Sequence, residues 1–211
     1  MWINPRYAPD APEATAKALI ERRPLATLIA PDPLRIAHMP VLWRRDGEGD
    51  ALIGHLPLAD PISRAIPEGV PLTAVFPGPA AYVTPTWYRG AGLPTYNYAP
   101  VHVTGRTRRL DEGELRAHLI DLIAAHEREQ TPAGCPAWHL DAAANARLEE
   151  LLPQIVGFAI AIDRLEVKTK IGQNRTPEEN ETVAEQLASG SGDRPEISAM
   201  MRRLAAESGE G

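Results

Sequence analysis

The chain has 211 residues, of which 44% are hydrophobic and 24% are charged, and its formal net charge at pH 7 is −6. These values predict one soluble, cytoplasmic domain with at most an appendage, large enough to bury a core. The acidic balance, without a dense Lys/Arg cluster, argues against binding nucleic acid by general electrostatic attraction. The one cysteine, Cys135, excludes an intrachain disulfide, and no stretch reaches the roughly 20 apolar residues that span a bilayer.

The first third of the chain predicts one helix followed by strands. Pro12 suits the first turn of a helix, and Pro24 ends it. Apolar and β-branched runs then predict strands, and Pro40 predicts an interruption of its strand at an edge, a bulge or the end of pairing. The predicted elements are a helix at residues 11–23, strands at 25–30, 35–43 and 51–56, and a short helix at 60–65 with Asp60 as its N-cap.

The second half of the chain alternates strands with amphipathic helices. Asp111 and Glu114 have the spacing of a capping box, and an apolar stripe follows them. His118 and His126 on this helix are predicted to face solvent. We predict strands at residues 72–76, 101–107 and 156–162, helices at 111–129 and 141–152, and exposed helices at 180–187 and 196–206. This α+β pattern favours an antiparallel sheet or a small barrel with flanking helices.

A long segment rich in aromatic and turn-forming residues lies between the strands at 72–76 and 101–107. Residues 76–105 read FPGPAAYVTPTWYRGAGLPTYNYAPVHVTG. The excursion is longer than a hairpin needs, and a connection of this length inside a compact domain is usually a functional loop. We therefore expect the functional site to include this segment.

Residue types and spacing argue against several kinds of chemistry. The histidines never occur at HxxxH or HxH spacing, and no cysteine or acidic cluster accompanies them, so we assign no metal site. The chain has no P-loop, no GxGxxG motif and no serine-hydrolase elbow. His38, His55 and His102 lie in or beside predicted strands, where residue type alone favours a structural role over a ligand role by roughly three to one.

The segment at 76–105 carries a resemblance to a known family. Its two halves, FPGPAAYVTPTWY and LPTYNYAPVHVTG, occur with AHMP at residues 37–40, GHLPLADP at 54–61 and VGFAIAIDRLEVKTKIGQNR at 156–175. In this order the motifs resemble those of the PaiB-type, FMN-binding negative transcriptional regulators. The resemblance implies an FMN-binding split β-barrel at residues 1–175, followed by an acidic helical tail at 176–211. It also implies a homodimer with the flavin in a groove between the subunits, and DNA as a further partner.

The resemblance also implies which residues bind the flavin. His55 and Arg64 are expected near the phosphate, and the KTKIGQNR segment supplies positive charge to the same groove. Trp87 and the tyrosines that follow it are expected to border the ring. The complete predicted set is His38, His55, Arg64, Trp87, Tyr96, Asn97, Tyr98, Lys170, Gln173, Asn174 and Arg175, and no catalytic residue is assigned.

This chain departs from the family pattern at the turn that suits a phosphate. Leu58 stands where Lys or Arg is usual and Asp60 where Asn is usual, so a cation is lost and an anion is added. Ala37, Tyr96 and Gly172 replace Ser or Thr, Trp and Ser, respectively. FMN is the predicted cofactor, and these departures leave open weak FMN binding, another ligand, or none.

Three functions remain open at this point. A flavin-binding regulator would bind DNA with strong salt dependence, although no basic recognition helix is evident. A flavin-dependent oxidoreductase would be reduced by a nicotinamide cofactor. A haem-binding split-barrel protein would show a Soret band and use His38, His55 or His102 as an axial ligand.

Overall fold

The computed structural model describes residues 1–47, 49–66, 69–132, 135–136 and 138–209, without the side chains of 129–130 and 207–209. The chain divides into two compact units, each assembled from several segments. The barrel unit comprises Arg23–Val75 and Val103–Arg164, and the aromatic unit comprises Met1–Arg22, Phe76–His102 and Leu165–Gly211. The predicted division into 1–175 and 176–211 stays a prediction.

Helices and strands occur wherever the sequence predicted them, and three further strands occur, two in the segment at 76–105 and one at Arg164–Val167. No helix of the described residues is both long enough and apolar enough to cross a membrane. Single 3-10 turns lie at Pro5–Tyr7, Pro61–Arg64, Pro85–Trp87 and Leu152–Gln154. In chain order the elements are α1 (Pro12–Arg22), β1 (Leu25–Pro31), β2 (Leu34–Asp46), β3 (Gly49–Pro57), β4 (Pro71–Phe76), β5 (Ala80–Val83), β6 (Thr95–Tyr98), β7 (Val101–Arg109), α2 (Glu112–Gln130), α3 (Ala142–Leu151), β8 (Ile155–Ala161), β9 (Arg164–Val167), α4 (Pro177–Ala188) and α5 (Arg194–Gly209).

Six antiparallel strands of the barrel unit form a closed barrel in the order β4-β1-β2-β3-β8-β7, and pairing of β4 with β7 closes the circle. Alternate residues of β1, namely Ala26, Leu28 and Ala30, are buried, as expected of a strand with one face on a core. Closure removes the unpaired edges that an open sheet would leave. The sequence had left sheet and barrel open; the split-barrel fold implied by the resemblance is confirmed.

The strand that contains Pro40 is longer than predicted and is not interrupted. β2 runs through Pro40, which stands opposite Leu25 of β1. Pairing of β2 with β3 begins only at the next residue, Val41, opposite Gly54. The missing N–H therefore falls where pairing on that side ends, one of the three outcomes that a strand proline predicts.

Helix α2 covers the outer face of β3 and β8. The capping box is confirmed, because the Asp111 carboxylate accepts from the Glu114 N–H at 2.8 Å and the Glu114 carboxylate accepts from the Asp111 N–H at 2.9 Å. Leu115 and Leu119 lie in one buried cluster with Ile53 of β3 and Ala159 of β8. This cover explains why four consecutive residues of β3, 51–54, are all buried.

In the aromatic unit, β5 and β6 form an antiparallel hairpin, and α4 packs against α5. The prediction that the two C-terminal helices are exposed was wrong. Val183, Ala184 and Leu187 of α4 are buried, as are Ile197 and Met201 of α5. Their spacing places apolar residues on one side of each helix, as in helices that pack against a partner.

Candidate functional site

Two lysines of the aromatic unit meet at one tyrosine ring. The backbone of Tyr98 in β6 pairs with that of Lys170, with N–O distances of 2.9 and 3.0 Å in the two directions. The Nζ atoms of Lys168 and Lys170 lie 5.2 and 5.9 Å from the centroid of the Tyr98 ring. Lys168 Nζ is also 5.5 Å from the ring of Trp2. We call Trp2, Tyr98, Lys168 and Lys170 the Tyr98 cluster.

The two ammonium groups of the Tyr98 cluster differ in their surroundings. Lys170 Nζ donates to the carbonyl of Tyr96 at 3.1 Å and also contacts the Thr95 hydroxyl. Lys168 is only 8% exposed, and among the described residues no carboxylate forms an ion pair with it. A cation on a largely buried side chain, next to aromatic faces and without an anion of its own, is a place where an anionic ligand would be favoured.

A second arrangement of cations on rings surrounds Trp87 and Tyr88, which we call the aromatic corner. The Arg175 guanidinium carbon lies 3.9 Å from the Tyr88 ring centroid, and its Nη1 lies 3.9 Å from the Glu179 carboxylate. The Arg194 guanidinium lies 5.5 Å from the Trp87 ring. Both rings are half-buried, so each offers a wall that is held on one side by an arginine.

The amide side chains of the predicted set have separate environments. Asn97 is buried and its Nδ2 donates to the Met201 sulfur at 3.5 Å. Gln173 braces its own turn, because its Oε1 accepts from the Ile171 N–H at 2.9 Å and its Nε2 contacts the Thr169 carbonyl. Asn174 is exposed. The turn thus leaves Asn174 as its freely presented amide among the described residues, while the Gln173 amide is already engaged.

Gly172 explains one departure from the family pattern. Its φ is +100°, a conformation that residues with a side chain rarely adopt, and a Cβ there would lie 2.3 Å from Asn180 Oδ1. Asn180 of α4 donates from Nδ2 to the Gly172 carbonyl at 3.0 Å. A serine at 172 would therefore need a different backbone and a displaced Asn180, because here the turn is tied to the C-terminal helices.

The barrel unit holds the other three predicted residues, and each has its own contacts. His38 is exposed and its Nδ1 is 3.1 Å from the Thr27 hydroxyl, and Arg64 is exposed at the end of the turn Pro61–Arg64. His55 Nδ1 lies 3.3 Å from His118 Nε2 on α2. The assignment of His38, His55 and Arg64 to the flavin stays a prediction.

The prediction that His118 faces solvent was wrong. It is 5% exposed, and its Nδ1 has no hydrogen-bond partner among the described residues. Burial, and then the charge on His55, lower the pKa of His118 to about 4, and burial also lowers the pKa of His55. Both imidazoles are therefore neutral at pH 7 and share one hydrogen bond.

The sequence analysis treated the turn around Asp60 as a phosphate site to which Asp60 adds a negative charge, and the structure shows a different role for this carboxylate. The Asp60 carboxylate accepts from the Ile62 N–H at 2.9 Å, so it caps the turn, as predicted. Ser63 Oγ donates to the Leu58 carbonyl at 3.0 Å, and the Leu58 side chain is 45% exposed. Asp60 thus uses a turn amide that an external anion would otherwise find, and these residues do not fit a phosphate.

The residues of the Tyr98 cluster and the aromatic corner do fit an aromatic anion, with ring faces for a flat group and a buried ammonium for negative charge. Sequence reasoning named Lys168 only as a source of charge and missed Trp2 and Arg194. The signal for Lys168 was its position in the strand-like EVKTK run, two residues before Lys170 and therefore on the same face. Trp2 and Arg194 left no local signal.

The fold and these residues define a class, the flavin-binding split barrels. The chain belongs to the family described as "Putative FMN-binding domain", whose model matches residues 1–164. The resemblance to PaiB-type proteins is thereby confirmed, and FMN is the cofactor that the family indicates.

Individual relatives agree with this assignment. "Protease synthase and sporulation protein PAI 2" of Bacillus subtilis is 29% identical over 151 residues, which cover 71% of this chain and 70% of that protein. The FAD and heme binding protein from Mycobacterium smegmatis matches with a TM-score of 0.52 and 20% identity, over 85% of this chain and 78% of its own. The flavocytochrome Anf3 from Azotobacter vinelandii also has a TM-score of 0.52, with 18% identity over 79% and 72%. At these identities, the two structures support the fold.

Proposed function

We propose that this protein binds FMN through its aromatic unit, on a surface formed by the Tyr98 cluster and the aromatic corner. The observation that carries the proposal is Lys168, a residue only 8% exposed whose Nζ lies over the rings of Trp2 and Tyr98 and has no carboxylate partner among the described residues. When bound, FMN would supply a ring that accepts and returns electrons.

The electrostatics of Lys168 support an anionic ligand. Removing an ammonium from water costs several kcal/mol in a protein interior, and a desolvated cation–π contact returns about 2 kcal/mol. An oxyanion within hydrogen-bond reach would offset more of this cost, because charge-assisted hydrogen bonds are the stronger kind. FMN offers two such groups, its phosphate and the carbonyl edge of its ring.

The remaining residues of the aromatic unit divide the work of binding. Trp87, Tyr96 and Tyr98 present ring faces, and Lys170 and Arg175 add positive charge around them. Asn174 is the amide that we assign to the polar edge of the ring, whereas the buried amide of Asn97 already donates to Met201, so its assignment to the flavin stays a prediction. Gln173 holds the turn that carries Lys170 and Arg175, so it supports the site through the backbone.

The test is a titration of flavin with the wild-type protein and two lysine variants. We expect Lys168→Met to weaken FMN binding about 10-fold or more, the loss of one charge-assisted contact of about 1.5–3 kcal/mol. Lys17→Met is the control, because Lys17 is exposed on α1. Quenching of flavin fluorescence reports the dissociation constant, and equal FMN affinity in Lys168→Met and wild type would contradict the proposal.

Riboflavin, which lacks the phosphate, locates the partner of Lys168. If Lys168 contacts the phosphate, Lys168→Met will weaken FMN binding and leave riboflavin binding unchanged. If it contacts the ring edge, both ligands will bind more weakly.

A homodimer groove and a PaiB-type regulatory role are further proposals that come from the family resemblance and from the relative in Bacillus subtilis. The net charge of −6 gives no support to broad contact with DNA. Molar mass by light scattering tests the dimer, and DNA binding that falls steeply with salt tests the regulatory role. No contact of the described residues favours haem over flavin as the ligand, and none favours a flavin-dependent oxidoreductase over a flavin-binding regulator.

A further inference from the structure

The C-terminal helices contact both segments that the resemblance assigns to the cofactor. In the 76–105 segment, the Asp193 carboxylate accepts from the Ala80 N–H at 3.0 Å, and Met201 accepts from Asn97. In the 168–175 turn, Asn180 donates to the Gly172 carbonyl. The match to the family model ends at residue 164, so Asn180, Asp193 and Met201 all lie beyond it.

A niche at the start of α5 is shaped for one arginine. A Cβ at Gly190 would lie 2.5 Å from Arg194 Cδ and 2.8 Å from Arg194 Nε. Contacts this short do not occur, so any side chain at 190 would displace Arg194. Because Gly190 leaves this space open, the Arg194 guanidinium reaches the Trp87 ring.

The second arginine of the aromatic corner is accommodated in the same way. A Cβ at Gly92 would lie 2.5 Å from Tyr88 Cδ2 and 3.0 Å from Arg175 Nη2. Glycines therefore make room for both arginine–aromatic stacks, Arg175 on Tyr88 and Arg194 on Trp87. The repetition indicates that the rings of the aromatic corner are held in place from their arginine side.

We propose that Arg194 is a positioning residue for the cofactor: it holds Trp87 in the orientation in which this ring serves as a wall of the flavin site. Asp193, its neighbour, fixes the first residue of β5 and so anchors the other end of the same loop. The C-terminal helices are thus part of the site. This inference rests on the proposed function for its cofactor, and on its own contacts for the ordering of Trp87.

The experiment compares Arg194→Gln, Arg194→Lys and Gly190→Ala with the wild-type full-length chain. Gly190→Ala displaces the Arg194 side chain without changing it. Arg202→Gln is the control, since Arg202 lies on the same helix but pairs with a carboxylate, that of Glu181 at 2.9 Å, and not with an aromatic ring. The first readout is the 19F spectrum of 5-fluorotryptophan protein without flavin, with the Trp87 signal assigned by Trp87→Phe. The second is the dissociation constant for FMN.

We expect Arg194→Gln and Gly190→Ala to shift or broaden the Trp87 signal and to weaken FMN binding about 5- to 20-fold. Arg194→Lys, which keeps the charge, should restore part of the affinity, and Arg202→Gln should change neither readout. An unchanged Trp87 signal in Arg194→Gln overturns the proposal whatever the flavin does. A shifted signal with unchanged FMN affinity overturns the role toward the cofactor.

These outcomes separate the two proposals. If the wild type binds FMN tightly and Arg194→Gln binds it equally well, only the positioning role of Arg194 is contradicted. A wild-type protein that binds no FMN removes the proposed function and the cofactor role together, while the 19F signal still decides whether Arg194 orders Trp87.

Discussion

One arginine of the barrel unit and two cations of the aromatic unit have different kinds of partner. In the barrel unit, the Arg108 guanidinium donates to the carboxylates of Asp46 and Glu114, and these hydrogen bonds raise its pKa. In the aromatic unit, Lys168 and Arg194 lie over rings instead. A ring attracts a cation without satisfying its hydrogen-bond donors, so such a cation keeps donors for a ligand. Arg108 thus has its donors satisfied within the fold, and Lys168 is the cation that our proposal gives to a ligand.

The strongest test of this contrast compares one ring from each unit. Phe158 is fully buried in β8, so Phe158→Ala should reduce the free energy of unfolding by about 3–5 kcal/mol. Tyr96 is 56% exposed, so Tyr96→Ala should cost about 1 kcal/mol or less and act mainly on FMN affinity. Chemical denaturation without flavin measures both variants. Equal losses of stability would show that the Tyr96 ring is as structural as the barrel core.

The next largest effect is a pH dependence of stability from His118. Its pKa is about 4 in the folded chain and about 6.5 in the unfolded chain, so the unfolded state binds more protons as the pH falls below 6.5. Stability is therefore complete above pH 6.5 and decreases by up to about 3 kcal/mol as the pH falls toward 4. Asp121 opposes the lowering of this pKa, and Arg44 adds to it.

His118→Gln provides the matched variant for the pH test, because it keeps a polar partner for His55 and cannot titrate. Its unfolding free energy should depend less on pH between 6.5 and 4 than that of the wild type. Urea denaturation across this range makes the comparison, and parallel pH profiles would show that His118 is not buried as a neutral group.

A smaller effect separates a capping role for Asp60 from a role facing a phosphate. Asp60→Ala removes the acceptor of the Ile62 N–H and should cost about 1 kcal/mol of stability, with FMN affinity unchanged. If Asp60 instead faced the phosphate, its removal would tighten FMN binding, since a like charge would be lost. Thermal unfolding and flavin titration of the same variant distinguish these results.

Residues near one another in the chain account for most of what could be predicted. Three local features were predicted from the sequence and are observed. They are the capping box of Asp111 and Glu114, the N-cap at Asp60 and the β-strand at Leu25–Pro31. The predictions that were wrong concern which side chains are buried and which face solvent. His118 was placed in solvent and the C-terminal helices were called exposed, because a helical residue's partner is set by what packs on it.

In the candidate site, too, some contacts were predicted from motifs and others are known only from the structure. Tyr98 and Lys170 were predicted together from family motifs, and a backbone pairing joins them. The aromatic corner's arginine from α5 was not predicted, because nothing in GDRPE marks residue 194 as a neighbour of Trp87. Likewise, Gln173 carries the residue type of a ligand contact, and only its hydrogen bonds show that it braces the turn.

By itself, the sequence determined every helix, all but three of the strands, several caps and the family of the protein, because these depend on residues within a few positions or on motifs in fixed order. The tertiary structure alone decided that the sheet closes, that His55 meets His118 across 63 positions of sequence, and that Lys168 lies between Trp2 and Tyr98. Such contacts depend on the path of the whole chain, and the hydrophobic periodicity of single helices and strands does not predict that path.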